Sequence, residues 1–145
     1  MLDRSLIGRI GEPVLHEIEK NAVRRFAEAL GDPNPLATDE AVARAAGYPS
    51  LVAPPTFALA LASNERFRHS LDLGTRSILH SEQQFEYARP IVGGDRITVR
   101  SKVADVQERA GASGPMDVIV IEDEARDDAG ALVLRTRATL ILRRG

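Results

Sequence analysis

The side chains of this sequence best suited to proton transfer are Asp32 and His80. Asp32 begins the loop Asp32-Pro33-Asn34-Pro35, and His80 lies in a polar stretch of the second half of the chain. An acid–base pair must titrate near the working pH and lie within hydrogen-bond reach of the reacting atoms. The side chains of Asp32 and His80 are of types that can meet this requirement, and the side chain of Asn34 can donate and accept hydrogen bonds. The alternatives stay open: Asp32 and Asn34 stabilise the proline turn, and His80 is a hydrogen-bonded structural histidine.

The remaining polar clusters are predicted to be structural or solvent-exposed. Gly93-Gly94-Asp95 lacks the spacing and the following helix of a phosphate loop, which predicts a β-turn. The acidic residues of Glu122–Glu124 and Asp127–Asp128 lie on and after a strand, which predicts a solvated face. His69 is also predicted to be solvated, and His16 has no evident partner. Because the histidines are scattered and cysteine is absent, the sequence predicts no metal site and no disulfide.

These residues are positioned by a helical first half and a strand-rich second half. Gly31 stands where a left-handed residue would end a helix, and Pro55 can begin one. The segment after Pro55 is apolar on every side, which predicts a buried helix. The predicted elements are a strand over Val14–Ile18, helices over Glu19–Leu30, Asp39–Ala46 and Pro55–Phe67, and strands over Ser77–Tyr87, Arg96–Glu108, Met116–Asp127 and Leu132–Arg143.

This order of elements predicts a single domain over residues 1–145 in the α+β class. The short turns between the last three strands indicate an antiparallel meander. A long antiparallel sheet with one wholly apolar helix predicts that the sheet wraps around that helix, which is the hot-dog arrangement. A single unit of this kind leaves a sheet edge exposed, and side-by-side dimerisation is the usual remedy.

Composition excludes several classes of function. The 145 residues carry a net charge of −2 and 4% aromatic residues, which argues against a nucleic-acid-binding protein. The longest apolar run, Leu51–Ala62, is interrupted by prolines and is too short to span a bilayer. The first residues lack the apolar stretch of a signal peptide. We therefore expect a cytoplasmic protein without membrane or nucleic-acid partners.

Five linked motifs resemble those of the MaoC-like, or (R)-specific hydratase/dehydratase, family. The similarity is greatest to its N-terminal-domain branch, which includes acyl-binding subunits of heterodimeric (3R)-hydroxyacyl carrier-protein dehydratases. The motifs cover nearly the whole chain: Phe26-Ala-Glu-Ala-Leu-Gly-Asp-Pro-Asn-Pro35, Ala45-Ala-Gly-Tyr48, Leu51-Val-Ala-Pro-Pro-Thr-Phe57, Leu79-His-Ser-Glu-Gln-Gln-Phe85 and Arg89-Pro-Ile-Val-Gly-Gly-Asp95.

The resemblance implies reversible addition of water to a trans-2-enoyl thioester, giving an (R)-3-hydroxyacyl thioester. In the family, an aspartate and a histidine five residues later transfer the protons, and a backbone amide at the start of the buried helix polarises the thioester carbonyl. Asp32 occupies the aspartate place, but Ala37 occupies the histidine place and cannot transfer a proton. Ala53-Pro54-Pro55 occupies the place of the amide donor, which proline lacks. The next amide, at Thr56, remains as a donor.

We therefore predict an acyl-thioester-binding subunit that needs a partner hot-dog chain with an intact aspartate–histidine pair. The alternatives are a self-sufficient hydratase that uses Asp32 with His80, a hot-dog thioesterase, and a purely structural or regulatory dimer. A thioesterase carboxylate would have to be Glu65, near the far end of the buried helix.

The resemblance also implies a set of ligand contacts. The carrier of the acyl group is coenzyme A or acyl carrier protein, and no other cofactor and no metal is expected. Arginine pairs such as Arg24-Arg25, Arg66/Arg68 and Arg143-Arg144 are candidates for phosphate contact. The acyl chain would lie along the small and apolar residues Phe57, Ala58, Leu59, Leu61 and Ala62. The substrate-binding candidates are Asn34, Pro55, Thr56, Phe57 and Gly94.

Overall fold

The strand-rich half of the chain forms four strands of a five-stranded antiparallel sheet, as the alternating pattern predicts, and the fifth strand comes from the first half. The computed structural model describes residues 2–62, 65–73, 77–111 and 114–143. The strands are β1 (Val14–Glu17), β2 (Ser77–Tyr87), β3 (Arg96–Gly111), β4 (Gly114–Asp127) and β5 (Leu132–Arg143). Their order across the sheet is β1-β3-β4-β5-β2. The last three strands form the predicted meander, and β2 pairs with β5 and forms one edge of the sheet.

The helices of the first half end and begin at the predicted signals. Helix α1 (Lys20–Leu30) ends at Gly31, whose φ of 67° is the left-handed conformation that glycine adopts without strain. Helix α2 (Glu40–Ala45) begins after Asp39, whose carboxylate accepts hydrogen bonds from the N–H groups of Ala41 and Val42.

The predicted helix over Pro55–Phe67 differs from the observed structure. Its start is a 3₁₀ turn (Pro55–Phe57), followed by α3 (Ala58–Ala62) and α4 (Glu65–Ser70). Two consecutive prolines fix the backbone before the turn and remove two amide donors, which favours this short tight start. Residues 63–64 lie outside the described residues. Within the part of the chain that is described, the helices lack the combination of length and apolarity that crossing a membrane requires.

The inner face of the sheet packs against the helices in two hydrophobic clusters. In the first cluster, Phe57, Ala58 and Leu61 are buried against β3, β4 and β5. In the second cluster, Phe67 and Leu71 pack against the other end of the same strands. Each fully buried large apolar side chain contributes about 1.5–3 kcal/mol, so these contacts hold the helices in the curve of the sheet.

The helical layer is covered on one side only. Leu59, on α3, is 38% exposed, whereas Leu61 is 6% exposed. The prediction of a helix buried on every side is therefore wrong for this chain by itself, because the sheet covers only the face that bears Ala58 and Leu61. The fold is nevertheless the predicted α+β hot-dog arrangement.

Candidate functional site

A cavity of about 350 Å³ opens where three segments meet: the loop after α1, the start of the 3₁₀ turn, and the end of β2. Its lining includes Asp32, Asn34, Ala37, Pro55, Tyr87 and Arg89. The structure thus brings together the proline loop, the place of the missing histidine and the helix start, which are far apart in sequence.

The loop that carries Asp32 is held by its own side chains. Asp32 donates its backbone N–H to the carbonyl of Ala27 at 3.0 Å, which continues the end of α1. The Asp32 Oδ1 atom accepts the N–H of Asn34 at 3.0 Å, and the Asn34 Oδ1 atom accepts the N–H of Leu36 at 3.1 Å. These are two successive turns of the type that Asp and Asn side chains stabilise. Asp32 and Asn34 therefore both stabilise the proline turn, which is one of the alternatives that the sequence left open. Both residues also line the cavity.

Ala37 is 2% exposed and belongs to the first hydrophobic cluster while it also lines the cavity. Its N–H donates to the carbonyl of Asn34 at 3.1 Å, so the backbone here forms a 3₁₀ turn. Position 37 therefore presents a methyl group to the cavity, where the resemblance would place an imidazole, and a methyl group cannot exchange protons.

The start of the helical segment offers few amide donors to a ligand. Ala53 donates its N–H to Ile91 at 2.8 Å, and Phe57 donates to Pro54 at 2.9 Å. Pro54 and Pro55 have no N–H. Thr56 is exposed and lies in the first turn, where N–H groups have no partner inside the helix. The amide that could polarise a carbonyl is therefore that of Thr56.

Tyr87 is a residue of this site that sequence reasoning missed. Its hydroxyl donates to the carbonyl of Pro55 at 2.5 Å and so ties the end of β2 to the helix start. Burial raises the pKa of Tyr87 to about 12. The phenol is therefore neutral at physiological pH and does not act as a base. The sequence does contain a signal for this position: Phe85 and Tyr87 are two residues apart on β2, which places both aromatic rings on the same face of the strand.

Arg89 is another residue of this site that sequence reasoning missed, and one of its partners, Asp127, is 38 residues away. It donates two hydrogen bonds to Asp95, at 2.8 and 3.1 Å, and one to Asp127 at 3.4 Å. These carboxylates raise the pKa of the guanidinium, the hydrogen bond to Asp95 having the largest effect. Asp95 also accepts the N–H of Val92 at 2.9 Å. The charge of Arg89 thus holds the connection between β2 and β3 in its turn and ties it to the end of β4 at the rim of the cavity.

Several predicted site residues lie elsewhere. His80 is exposed on β2 and lines a separate cavity of about 20 Å³ with Phe67 and Asp123. It is roughly 20 Å along the strand from Tyr87, so the structure does not bring His80 to Asp32.

Two of the predicted substrate contacts are used in packing and in a turn. Phe57 is 6% exposed and meets Phe26 edge to face, with ring centroids 5.3 Å apart. Gly94 lies in the predicted turn with a φ of 91°, and its N–H donates to Ile18 at 2.6 Å.

The acidic strand residues need one correction. Glu124 faces outward and pairs with Arg126 and Arg135, as a solvated face requires. Asp123 points inward and is 4% exposed, so the prediction of a solvated face is wrong for this residue. Of the arginines, Arg144 lies outside the described residues, and phosphate contact by the others stays a prediction. Within the described ranges, the His, Asp and Glu side chains form no group of three that could hold a metal ion.

This sheet, helix and cavity define the class of protein: a hot-dog protein of the hydratase and dehydratase type. The chain belongs to the family described as FAS1-like, dehydratase domain region, whose model matches residues 5–136. A UPF0336 protein of Streptomyces avermitilis is 37% identical over 147 residues, which cover 98% of this chain and 95% of that protein.

Two similar solved structures support the same assignment. One is the C-terminally truncated HadBC (3R-hydroxyacyl-ACP dehydratase) complex of Mycobacterium tuberculosis, with 30% identity and a TM-score of 0.81 over 94% of this chain and 96% of that chain. The other is a MaoC-like dehydratase with 30% identity and a TM-score of 0.84, over 95% of this chain and 42% of that chain. The resemblance to the MaoC-like family is thereby confirmed.

Proposed function

We propose that this chain is the acyl-thioester-binding subunit of an (R)-3-hydroxyacyl-thioester dehydratase that also runs in reverse as a trans-2-enoyl-thioester hydratase. One observation carries the proposal: the cavity keeps Asp32 and Asn34 but has the buried methyl group of Ala37 in the place of the imidazole. The cavity can hold a ligand, whereas one member of the acid–base pair is missing.

The reaction explains why the missing group matters. In hydration, a base takes a proton from water, the water oxygen bonds to C3 of the enoyl group, and a proton is delivered to the α-carbon. Each transfer needs a titratable group within hydrogen-bond reach. The neutral Tyr87 hydroxyl is already donated to Pro55, and His80 lies in another cavity. We infer that a partner chain with the same fold supplies the intact aspartate–histidine pair.

The comparisons support a two-chain enzyme. The HadBC structure that this chain resembles is a complex and is a (3R)-hydroxyacyl-ACP dehydratase. The exposed Leu59 and the exposed apolar residues Ile78 and Leu79 of β2 give this chain an uncovered side on which a partner can pack. Coenzyme A or acyl carrier protein would carry the acyl group, and the enzyme would act in the cytoplasm.

The other hypotheses have less support. A self-sufficient hydratase that pairs Asp32 with His80 needs two groups that the structure keeps apart. The thioesterase hypothesis named Glu65 as its carboxylate, and the side chain of Glu65 lies outside the described residues. A purely structural dimer does not explain the cavity.

The experiment measures hydration of trans-2-enoyl-coenzyme A, by loss of enoyl absorbance, and binding of the saturated analogue by calorimetry. We expect the isolated chain to bind the thioester and to hydrate at the background rate. Co-purification with a MaoC-like chain that carries the aspartate–histidine pair should restore turnover. Hydration by the isolated chain that disappears in Asp32→Asn would contradict the proposal and favour the self-sufficient hydratase.

A second test restores the missing group. Ala37→His places an imidazole beside Asp32, and general acid–base catalysis typically contributes about 10²–10⁴-fold. Because Pro55 still offers no amide, we expect the lower end, about 10²-fold above background, from the isolated chain. Ala37→Leu fills the same space without a titratable group and is the matched control. An unchanged rate in a folded Ala37→His variant that still binds the thioester would show that the histidine is not what the chain lacks.

A further inference from the structure

A row of three polar side chains crosses the inner face of the sheet between the two hydrophobic clusters. Ser101 on β3 pairs in register with Asp123 on β4, and Asp123 pairs with Thr136 on β5. Their exposed fractions are 1%, 4% and 6%. The otherwise apolar interior is therefore divided by a polar row, which consists of Ser101, Asp123 and Thr136.

The hydrogen bonds of this polar row are incomplete. Thr136 donates its hydroxyl to Asp123 Oδ2 at 2.8 Å. Among the described residues, neither Asp123 Oδ1 nor Ser101 Oγ has a hydrogen-bond partner. Ser101 lies close enough to lower the pKa of the carboxyl but lacks hydrogen-bond geometry, and burial, the larger effect, raises that pKa. Buried polar atoms without partners destabilise a fold, so their presence calls for a functional explanation.

Two small cavities meet at Asp123. One, of about 10 Å³, lies between Ala58 and Leu61 on the helix and Leu134 on β5. The other, of about 20 Å³, lies beneath Leu59 and Phe67 and is also lined by Ser101. Asp123 lines both cavities, and the larger one is the size of a single water molecule. The packing under the helix therefore leaves a small void on each side of the Asp123 carboxyl group.

The polar row lies deeper along the sheet than the candidate site. On the neighbouring strand β2, Tyr87 pairs with Leu134 and Phe85 pairs with Thr136. The polar row is thus two residues along the sheet from the Tyr87 position, or about 7 Å. Ala58 and Leu61 line the small void at the polar row and not the 350 Å³ cavity. An acyl chain that continued from Tyr87 along these two residues, displacing their packing, would meet the polar row at that depth.

We propose that Ser101, Asp123 and Thr136 limit the length of the acyl chain, so that this subunit selects short-chain acyl thioesters. The inference rests on the proposed function, because it assumes that an acyl group enters the cavity. Up to the polar row, each methylene leaves water for an apolar surface. At the polar row, a methylene would face Asp123 Oδ1 and Ser101 Oγ, to which it offers neither a donor nor an acceptor.

The test is a chain-length series of saturated acyl-coenzyme A thioesters, from butanoyl to dodecanoyl, titrated into the full chain by calorimetry. We expect affinity to rise about fourfold per added methylene up to the polar row, and then to stop rising. In Asp123→Leu, which keeps the number and branching of the heavy atoms and removes the charge, the rise should continue to longer chains. Asp123→Asn, which keeps the shape, is the second variant and should weaken the limit in part.

A control variant and two contrary outcomes make the test decisive. Glu122→Leu changes the neighbouring carboxylate on the outer face of β4 and should leave the limit in place. A wild-type affinity that rises without a break, or a break that persists in both folded Asp123 variants, would overturn the inference while leaving thioester binding established. Absence of binding for every chain length would overturn the proposed function and, with it, this inference.

Discussion

Asp32 has a structural use in this chain besides the catalytic one that the resemblance implies, and the structural use needs no partner side chain. Its Oδ1 atom accepts the N–H of Asn34 and shapes the loop that borders the cavity. That use needs no imidazole, so the loop keeps its geometry although position 37 carries a buried methyl group. A carboxylate at the catalytic place is therefore compatible with a subunit whose task is binding.

The pH dependence of stability tests the burial of Asp123. Burial raises the pKa of its carboxyl, so the folded state holds the proton more tightly than the unfolded state does. The stability it contributes is present below its ordinary pKa and is lost as pH rises through the raised pKa. We expect Asp123→Asn to gain about 1 kcal/mol or more over the wild type at neutral pH, or roughly 2–4 °C in Tm.

The comparison is made by thermal unfolding at acidic and neutral pH. The attraction of the Arg68 guanidinium lowers the pKa of the Asp123 carboxyl and opposes the effect of burial. We expect the difference in Tm between wild type and Asp123→Asn to shrink as pH falls. A difference that is the same at every pH would mean that ionisation of Asp123 does not act on stability.

At the residue scale, turns made by neighbouring residues could be predicted from the sequence, whereas contacts between distant residues could not. The turns at Asp32 and Asn34 depend on side chains that reach two residues along the chain, so the sequence shows them directly. The ion pair of Arg89 with Asp127 spans 38 residues and forms only when the sheet does. The burial of Asp123 was missed because its neighbours Glu122 and Glu124 are charged and face outward. Asp123 nevertheless lies on the same face of β4 as the buried Ile121 and Ala125.

At the scale of elements, one glycine fixes how the turn before β3 meets α1. A Cβ added at Gly93 would lie 2.8 Å from Ser50 Oγ and 3.1 Å from the Cα of Lys20, the first residue of α1. Because the Cα atom belongs to the helix backbone, the helix itself would have to shift. We expect Gly93→Ala to cost about 1–3 kcal/mol, measured by chemical denaturation. Adding Ser50→Gly should recover part of the loss, and a Gly93→Ala variant as stable as the wild type would contradict this packing.

The elements themselves were predicted well where a periodic pattern runs for ten residues or more. Strands β2 to β5 and helix α1 begin and end within a few residues of the predicted bounds. The helical segment after Pro55 was less predictable, since its apolar composition does not show where one short turn ends and the next begins. The sheet order, which places β2 beside β5, is set by packing and not by any local signal.

At the scale of the whole molecule, the two edges of the sheet differ. Strand β1 has four residues, whereas β2 has eleven and exposes Ile78 at 43% and Leu79 at 41%. A long exposed apolar edge favours pairing with another chain. We expect the protein, alone or with its partner, to form a two-chain assembly through β2, and Ile78→Lys to shift the mass in analytical ultracentrifugation to that of one chain.

Leu15→Lys is the matched control for this prediction. Leu15 is 47% exposed on the opposite edge strand, so it tests whether any added charge at an edge has the same effect. We expect Leu15→Lys to leave the assembly intact. Dissociation by Leu15→Lys, with Ile78→Lys unaffected, would place the interface on the β1 edge.

The helix start at Pro54-Pro55 has a consequence for the thermodynamics of binding. Two prolines restrict this segment in the unfolded chain as well as in the folded one, and the hydrogen bond from Tyr87 holds the carbonyl of Pro55 in place. A wall that is already immobile loses little conformational entropy when a ligand arrives. The two prolines that offer no amide donor thereby make this wall of the cavity rigid, and we expect the proposed thioester to bind it with a small loss of conformational entropy.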